Sequence, residues 1–354
     1  MKKSYHSLAL ALLGAMAGGA YAQTAVTIYG IADAGLVNER GGATGNVNKL
    51  TSGAQSGSRL GFRGREDLGG GLGAIFTLEA GIALDTGGFN QNNTAFGRQA
   101  FVGVDSSTIG AVTLGRQYTA PYLILRDIAD PFAVGFAGNS LNLIPAGGSR
   151  MNNSIKYASP SFYGVSGEAA YGFGEVAGSN TANRIVNAAI GYGNGPINVR
   201  AGYFNRRNPT NTGGFRNILV GASWDFRVAK AHLAYGVDKG LGSSPFPVGE
   251  TALPFGTPAG LGSDDSREWL VGVTVPFGPA TFLASYIRKD DRSGFNADAR
   301  QWAVGATYSV SKRTNFYTSY GSINNDAGAS FTVGNASEAG SGDRAFNIGV
   351  RHLF

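Results

Sequence analysis

The chain has 354 residues, of which 15% are charged and 56 are glycine, with a formal net charge of +6 and no cysteine. So little charge with so much glycine is unusual for a soluble globular chain, and the missing cysteine excludes a small disulfide-stapled fold, thiol chemistry and cysteine metal sites. Lysines and arginines are scattered rather than clustered, so the positive balance does not point to nucleic acid.

Met1-Lys2-Lys3 is a positive opening, Leu8 to Ala17 an apolar run, and Ala20-Tyr21-Ala22 a small-residue cleavage site. This three-part pattern predicts an export signal over 1–22, removed near Ala22. Losing Lys2 and Lys3 takes the net charge from +6 to +4. The apolar run is too short to span a bilayer as a helix, and no later stretch approaches 18 apolar residues. The rest, 23–354, has no linker and reads as one domain.

Sixteen segments in 23–354 read as strands: about 26–37, 58–67, 72–85, 95–105, 110–117, 151–159, 163–173 and 184–193, then 196–205, 215–226, 229–239, 266–276, 279–290, 299–309, 313–323 and 343–354. The third alternates clearly, with Leu72, Ala74, Phe76, Leu78, Ala80, Ile82 and Leu84 on one face. Gly73, Thr77, Glu79, Gly81 and Asp85 share the other, with Ile75 the exception. The last repeats the pattern, setting Phe346, Ile348, Val350, His352 and Phe354 against Asn347, Gly349, Arg351 and Leu353. A period of two over such lengths means one oily face and one wet face. Mean hydropathy close to zero fits a wall whose two faces cancel.

The connections alternate strictly between short and long. Short turns lie at 68–71, 106–109, 160–162, 194–195, 227–228, 277–278 and 310–312. Long ones lie at 38–57, 86–94, 118–150, 174–183, 206–214, 240–265, 291–298 and 324–342. In an up-and-down barrel, alternate connections lie on opposite sides of the membrane, short turns periplasmic and long loops external. An even strand count brings both ends to the periplasmic side. The fold class is therefore all-β: a transmembrane antiparallel up-and-down barrel of 16 strands. Aromatics near strand ends, among them Trp224, Trp269, Phe282, Tyr286, Trp302, Tyr308, Phe316 and Tyr320, suit two interfacial girdles.

Two features bear on function. The longest connection, 118–150, is apolar for an external loop, with Tyr122-Leu123-Ile124-Leu125 and Leu141-Asn142-Leu143-Ile144. Such a segment is costly in open water and should pack on something. Folding inward onto the wall satisfies it, as would capping the mouth or contacting another copy. Asp127 and Asp130 are its acidic residues. In the second strand, Arg59, Arg63 and Arg65 alternate with Leu60 and Phe62. If the apolar pair faces lipid, the arginines face the lumen, since a lipid-facing charge at midplane costs about 2–4 kcal/mol.

Val26-Thr27-Ile28-Tyr29-Gly30, Ser58-Arg59-Leu60-Gly61-Phe62-Arg63-Gly64-Arg65-Glu66-Asp67-Leu68-Gly69, Thr113-Leu114-Gly115-Arg116-Gln117, Val310-Ser311-Lys312-Arg313-Thr314 and Gly349-Val350-Arg351-His352-Leu353-Phe354 occur in this order. Together they resemble the general porins of β-proteobacteria over the whole mature chain. The resemblance implies a 16-stranded trimeric diffusion pore whose long third external loop folds into the lumen. It also implies wall arginines facing that loop and a preference for anions. Arg59 matches the constriction arginine of the second strand, Arg98 one on the fourth, and Arg150 one at the start of the sixth. Arg98 has an open question of facing, because Ala100 and Phe101 do not fix the strand's parity. Arg63 and Lys156 would extend the basic wall, and Asp127 and Asp130 would supply the acidic loop. Rings of such charges decide which ions pass a narrow opening.

The expected function is passive diffusion of small hydrophilic solutes, leaning toward anions, across a bacterial outer membrane. Expected partners are two further copies of the chain, outer-membrane lipid and lipopolysaccharide, and small solutes and anions. No cofactor, metal or nucleic acid is expected. An enzyme barrel is the first alternative, but the mature chain has only His232 and His352, with no marked partners. An adhesin working through its loops is the second.

Overall fold

The computed structural model describes residues 25–240, 264–326 and 328–354. The expected export signal and most of the loop expected at 240–265 lie outside the described residues. The wall begins with β1 (Ala25–Gly42), β2 (Gly45–Ser52), β3 (Arg59–Gly69), β4 (Leu72–Gly81), β5 (Gln99–Ser106) and β6 (Gly110–Tyr118). It continues after the longest connection with β7 (Arg150–Ala158), β8 (Val165–Gly172), β9 (Ile185–Asn194), β10 (Ile197–Arg207), β11 (Gly214–Asp225) and β12 (Lys230–Lys239). β13 (Asp265–Phe277), β14 (Ala280–Asp291), β15 (Ala299–Ser309), β16 (Thr314–Asn325) and β17 (Arg344–Leu353) complete it.

Each strand from β3 onward pairs antiparallel with the next, and β17 returns to β1 with Ile31 opposite Leu353 and Arg40 opposite Arg344. On its other edge, β1 pairs its first half with β3 and its second half with β2. The 17 described segments therefore fill 16 wall positions, because β2 and β3 share one. The ring is closed and leaves no free edge, as a wall in lipid requires.

Three boundaries differ from expectation. The first long connection is mostly a hairpin, β1 running on to Gly42 and turning into β2. Its residues are too polar to show an oily face, yet strand pairing beyond the bilayer needs none. The third expected strand stops at Gly81 rather than 85. The fourth begins at Gln99 rather than 95, because Gln91, Asn92 and Asn93 turn the chain through left-handed conformations.

Facing follows parity. On β11, Ile218 is 42% exposed while its neighbours Asn217 and Leu219 are fully buried. Phe346, Ile348 and Val350 are likewise outward, and Asn347 inward and buried. Along the middle of the strands, outward side chains are apolar and open; inward ones are polar or covered. The short turns rest on residues with positive φ, such as Gly195 (55°) and Gly278 (58°), where a side chain would be strained.

The long segment between β6 and β7 covers the inward face. It opens with a short helix, α1 (Ala120–Ile124), followed by one wide helical turn over Leu125–Ala129. Ile124, Leu125, Leu143 and Ile144 are fully buried against the inward Leu219, Leu270 and Ile287. Burying side chains of this size is worth about 1.5–3 kcal/mol each. This explains why the loop is apolar and why several inward wall positions are too. Polar ties fix its place: Asn187 accepts from the Ala120 N–H (2.9 Å), Ser319 from the Ala137 N–H (3.2 Å), and Gln301 from Asn142 (2.8 Å). Of the three packings open to the sequence, inward folding is the one observed.

The loop lies on a track of glycines. A Cβ on Gly221 would come within 2.5 Å of Ile124, one on Gly272 within 2.7 Å of Pro131, and one on Gly305 within 2.9 Å of Phe132. Gly202 and Gly321 meet Ile124 and Ala137 in the same way. Successive wall strands thus leave out the side chains that would hold the loop away. The final external segment leans on it too, with Asn139 donating to the Asn335 carbonyl and the Gly334 N–H donating to Asn142.

Candidate functional site

A dense grouping of charge forms where β6 passes into the loop. Glu79 points inward from β4, in the polar row that alternation marks on that strand. Its Oε1 accepts from Arg98 Nε (2.8 Å) and from the Tyr118 hydroxyl (3.2 Å). Its Oε2 accepts from the Tyr29 hydroxyl (3.0 Å). Arg98 Nη2 also donates to the Tyr118 hydroxyl (2.8 Å). Arg59 stands beside them, with Nη1 4.0 Å from Glu79 and Nε donating to the Gly57 carbonyl.

Tyr118 is the centre of the group. The guanidinium carbons of Arg150, Arg126 and Arg98 lie 4.9, 5.1 and 6.0 Å from its ring centroid. Tyr122, one turn into the loop, stacks on it, and Arg126 lies 5.8 Å from that ring as well. Cations near aromatic faces are held by the ring quadrupole without being neutralised. Arg126 also chelates Asp127 through two hydrogen bonds of 2.6 and 2.9 Å. Burial opposes its charge, but Asp127 and the two tyrosines overcome this and raise its pKa. Among the described residues, four guanidiniums (Arg59, Arg98, Arg126, Arg150) face two carboxylates (Glu79, Asp127), an excess of two positive charges.

The three arginines matched by resemblance, Arg59, Arg98 and Arg150, thus converge. The parity question over Arg98 disappears because it precedes β5, and its backbone N–H donates to the Glu79 carbonyl. Arg63 also faces inward, 5.2 Å from the Tyr29 ring, and is exposed to the lumen. Lys156 does not join the group. It sits opposite Thr113, five residues back along β6 from Tyr118, in the neighbourhood of the Arg200–Glu168 ion pair (2.8 Å).

The two loop acids divide. Asp127 is half-exposed and lies at the site, paired with Arg126. Asp130 is a correction: it is 3% exposed and turned into the loop's own fold. It accepts from the backbone N–H groups of Phe132 (2.8 Å), Val134 (3.1 Å) and Ser140 (2.9 Å). Burial raises its pKa to about 6 against the pull of those hydrogen bonds. It is a staple of the loop rather than a charge in the pore. A sequence cannot separate two aspartates three residues apart when the turn between them decides their facing.

Glu79, Tyr29, Tyr118, Tyr122 and Arg126 were not singled out from sequence as site residues. Glu79 had a signal, since an acid in the inward row of a strand next to three arginines invites pairing. Tyr118 and Tyr122 had only their spacing of four, which predicts contact once the segment is helical.

The closed antiparallel barrel has known counterparts. A family profile described as Gram-negative porin matches residues 9–328. An outer membrane porin protein of Bordetella pertussis is 32% identical, with all of both chains covered. An anion-selective porin from Comamonas acidovorans superposes with a TM-score of 0.77 and 27% identity, covering 94% of this chain and 100% of that one. The trimer form of OmpT from Vibrio cholerae, 18% identical, superposes with a TM-score of 0.65 over 94% of this chain and 99% of its own, a likeness of fold.

Proposed function

This chain belongs to the Gram-negative porin family, passive water-filled channels of the bacterial outer membrane rather than enzymes, and from that premise we propose that it prefers anions and that Arg59, Arg98, Arg126 and Arg150 set the preference. The observation that carries this reading is the excess of guanidinium over carboxylate around Tyr118. An anion crossing a passage lined in this way meets positive potential where water is scarce, and a cation meets the same potential as a barrier. Arg63 and Lys156, farther along the inner wall, add to the positive field without touching the narrow point. Asp127 moderates it.

The test is the zero-current potential across a tenfold KCl gradient, measured for the wild type and for Arg59→Ala with Arg98→Ala. Anion preference in the wild type and a shift toward cations in the double variant support the reading. An unchanged preference, with the loop still seated, overturns it.

The proposal extends to assembly as a homotrimer. On β1, Gly30-Ile31-Ala32-Asp33-Ala34-Gly35 turns small residues outward, beside an apolar depression lined by Leu36, Leu50, Ala306, Thr318 and Ile348. Asp33 is kept from that face. It is buried inward, taking the Tyr317 hydroxyl (2.7 Å) and the Ser56 N–H (2.6 Å). A single-barrel mass in mild detergent by analytical ultracentrifugation would exclude the trimer. The export signal over 1–22 belongs to the same reading, and N-terminal sequencing of the mature protein, expected to begin at Gln23, checks it.

A further inference from the structure

Between Ser52 and Arg59 the chain leaves the wall. β1 pairs with β3 as far as Ile31 opposite Arg59, and with β2 from Ala34 opposite Ser52, so 53–58 spans the change of partner. The segment turns inward. The Ala54 carbonyl accepts from the Phe136 N–H of the inner loop (2.7 Å), and Gln55 Oε1 accepts from Asn315 Nδ2 (2.8 Å). Ala54 and Ser58 are fully buried. Backbone outside a ladder at membrane depth must find its hydrogen bonds within the protein.

Asp33, fully buried on β1 between the two pairings, supplies them at both ends of the segment and in its middle. Its carbonyl accepts from the Gly53 N–H (2.7 Å) and from the Ser58 hydroxyl (2.9 Å), and its own N–H donates to that hydroxyl (3.1 Å). One carboxyl oxygen accepts from the Ser56 N–H (2.6 Å) and the other from the Tyr317 hydroxyl (2.7 Å). The far side of the segment touches the arginine group. The Gly57 carbonyl accepts from Arg59 Nε (2.9 Å), and a Cβ on Gly57 would lie 2.9 Å from Arg98 Nη1. The contact of Arg59 with Glu79 is longer, at 4.0 Å, so the Gly57 carbonyl is its nearer restraint. An unbroken chain of short contacts thus runs from Asp33 through Ser56 and Gly57 to both guanidiniums.

We propose that Asp33 is a positioning residue for ion selection: by holding Ser56 it fixes 53–58, and through Gly57 it sets where Arg59 and Arg98 stand. The inference rests on the reading that these arginines set the ion preference. Long side chains keep a working position only when the groups behind them are themselves held. Small displacements matter here. A guanidinium moved from about 4 to about 5 Å from a passing chloride, at an effective dielectric constant of about 20, changes its permeability about fourfold.

Zero-current potential and single-channel conductance of the mature protein in KCl are measured for Asp33→Ala, Asp33→Asn and Gly57→Ala. Asp33→Ala should lower the chloride-to-potassium permeability ratio about fourfold, with conductance near that of the wild type. Asp33→Asn keeps an oxygen for the Ser56 N–H and should hold the ratio or raise it. A carboxylate acting only by its charge would instead raise the ratio equally in both variants, since each removes the same group. Gly57→Ala leaves the bonds of Asp33 in place but crowds Arg98, so it too should lower the ratio. With Arg59→Ala and Arg98→Ala already present, the alanine and asparagine variants at 33 should no longer differ. Equal ratios for Asp33→Ala and Asp33→Asn, a wild-type ratio for Gly57→Ala, or a difference that survives loss of the two arginines would each overturn the proposal. If Asp33→Ala does not fold, Gly57→Ala decides. Failure of the underlying reading is separate: a wild-type ratio in Arg59→Ala with Arg98→Ala sinks the arginine filter itself, whereas a shifted ratio there with an unaffected Gly57→Ala sinks only the positioning role.

Discussion

Tyr118 and Tyr122 stack with ring centroids 5.2 Å apart and planes 11° from parallel, joining the last residue of a wall strand to the first helical turn of the inner loop. Wall arginines and the loop arginine meet on this pair, so the rings set the relative position of Arg98, Arg126 and Arg150. Replacing Tyr118 with Ala should release all three together. Tyr118→Phe keeps the ring and loses only the hydroxyl, so it should retain the arginine positions better than Tyr118→Ala. Zero-current potentials of the two variants check this, with the larger shift expected for alanine.

Asp127 is paired with Arg126 at the site. Asp127→Asn should therefore strengthen anion preference, and Arg126→Gln should weaken it. Both effects should fade as salt rises from about 0.01 M to about 1 M, because the screening length falls from about 30 Å to about 3 Å. A selectivity change that persists at high salt would mean that pore width, not charge, had altered.

Asp130 governs the loop's fold. Asp130→Ala leaves the N–H groups of Phe132, Val134 and Ser140 buried without partners, at about 1–3 kcal/mol each. The loop should loosen, with noisier single-channel current and faster proteolysis within 118–150. The barrel itself should stay folded.

The same residue predicts a pH dependence. Its folded pKa, about 6, lies above its ordinary value of 3.8. The folded loop thus favours the protonated form, and the unfolded loop loses its proton first. Stability of the seated loop is full below the ordinary value and declines as pH rises from about 4 to about 6, by on the order of 3 kcal/mol. Loop proteolysis should be slower at pH 5 than at pH 7, and Asp130→Asn should remove the difference.

Gly221→Leu would set a side chain where a Cβ already meets Ile124 at 2.5 Å and Ala129 at 3.0 Å. Overpacking of this kind costs about 1–3 kcal/mol. The loop should shift toward the pore axis or lift out. Single-channel conductance then changes, while the outward face stays as in the wild type.

Alternation and loop length carried most of the architecture, because a two-faced strand in lipid must write its facing into every second residue. The inward fold of 118–150 was legible as one of three packings, from residues such as Leu125 and Ile144 that water would not tolerate. β2 was invisible, since beyond the bilayer Asn48 and Lys49 need no oily alternation to pair with β1. At the site, the inward facing of Arg59 was legible from parity, but its place at the opening, like those of Arg98 and Arg150 at strand boundaries, came from resemblance. Asp130 failed because side-chain facing inside an irregular loop depends on hydrogen bonds that no periodicity encodes.

The missing side chains beneath the loop have a bearing on the order of assembly. Gly202, Gly221, Gly272, Gly305 and Gly321 come from β10, β11, β13, β15 and β16, so the berth they make does not exist until the chain has been inserted almost to its end. A nascent hairpin carrying the 118–150 segment has nothing to dock on. The apolar stretch around Leu125 and Ile144 must be shielded by other means until the last strands arrive. Closing the wall and narrowing the passage are then successive events, and a barrel stalled before β16 would be open, leaky and exposed at this one segment.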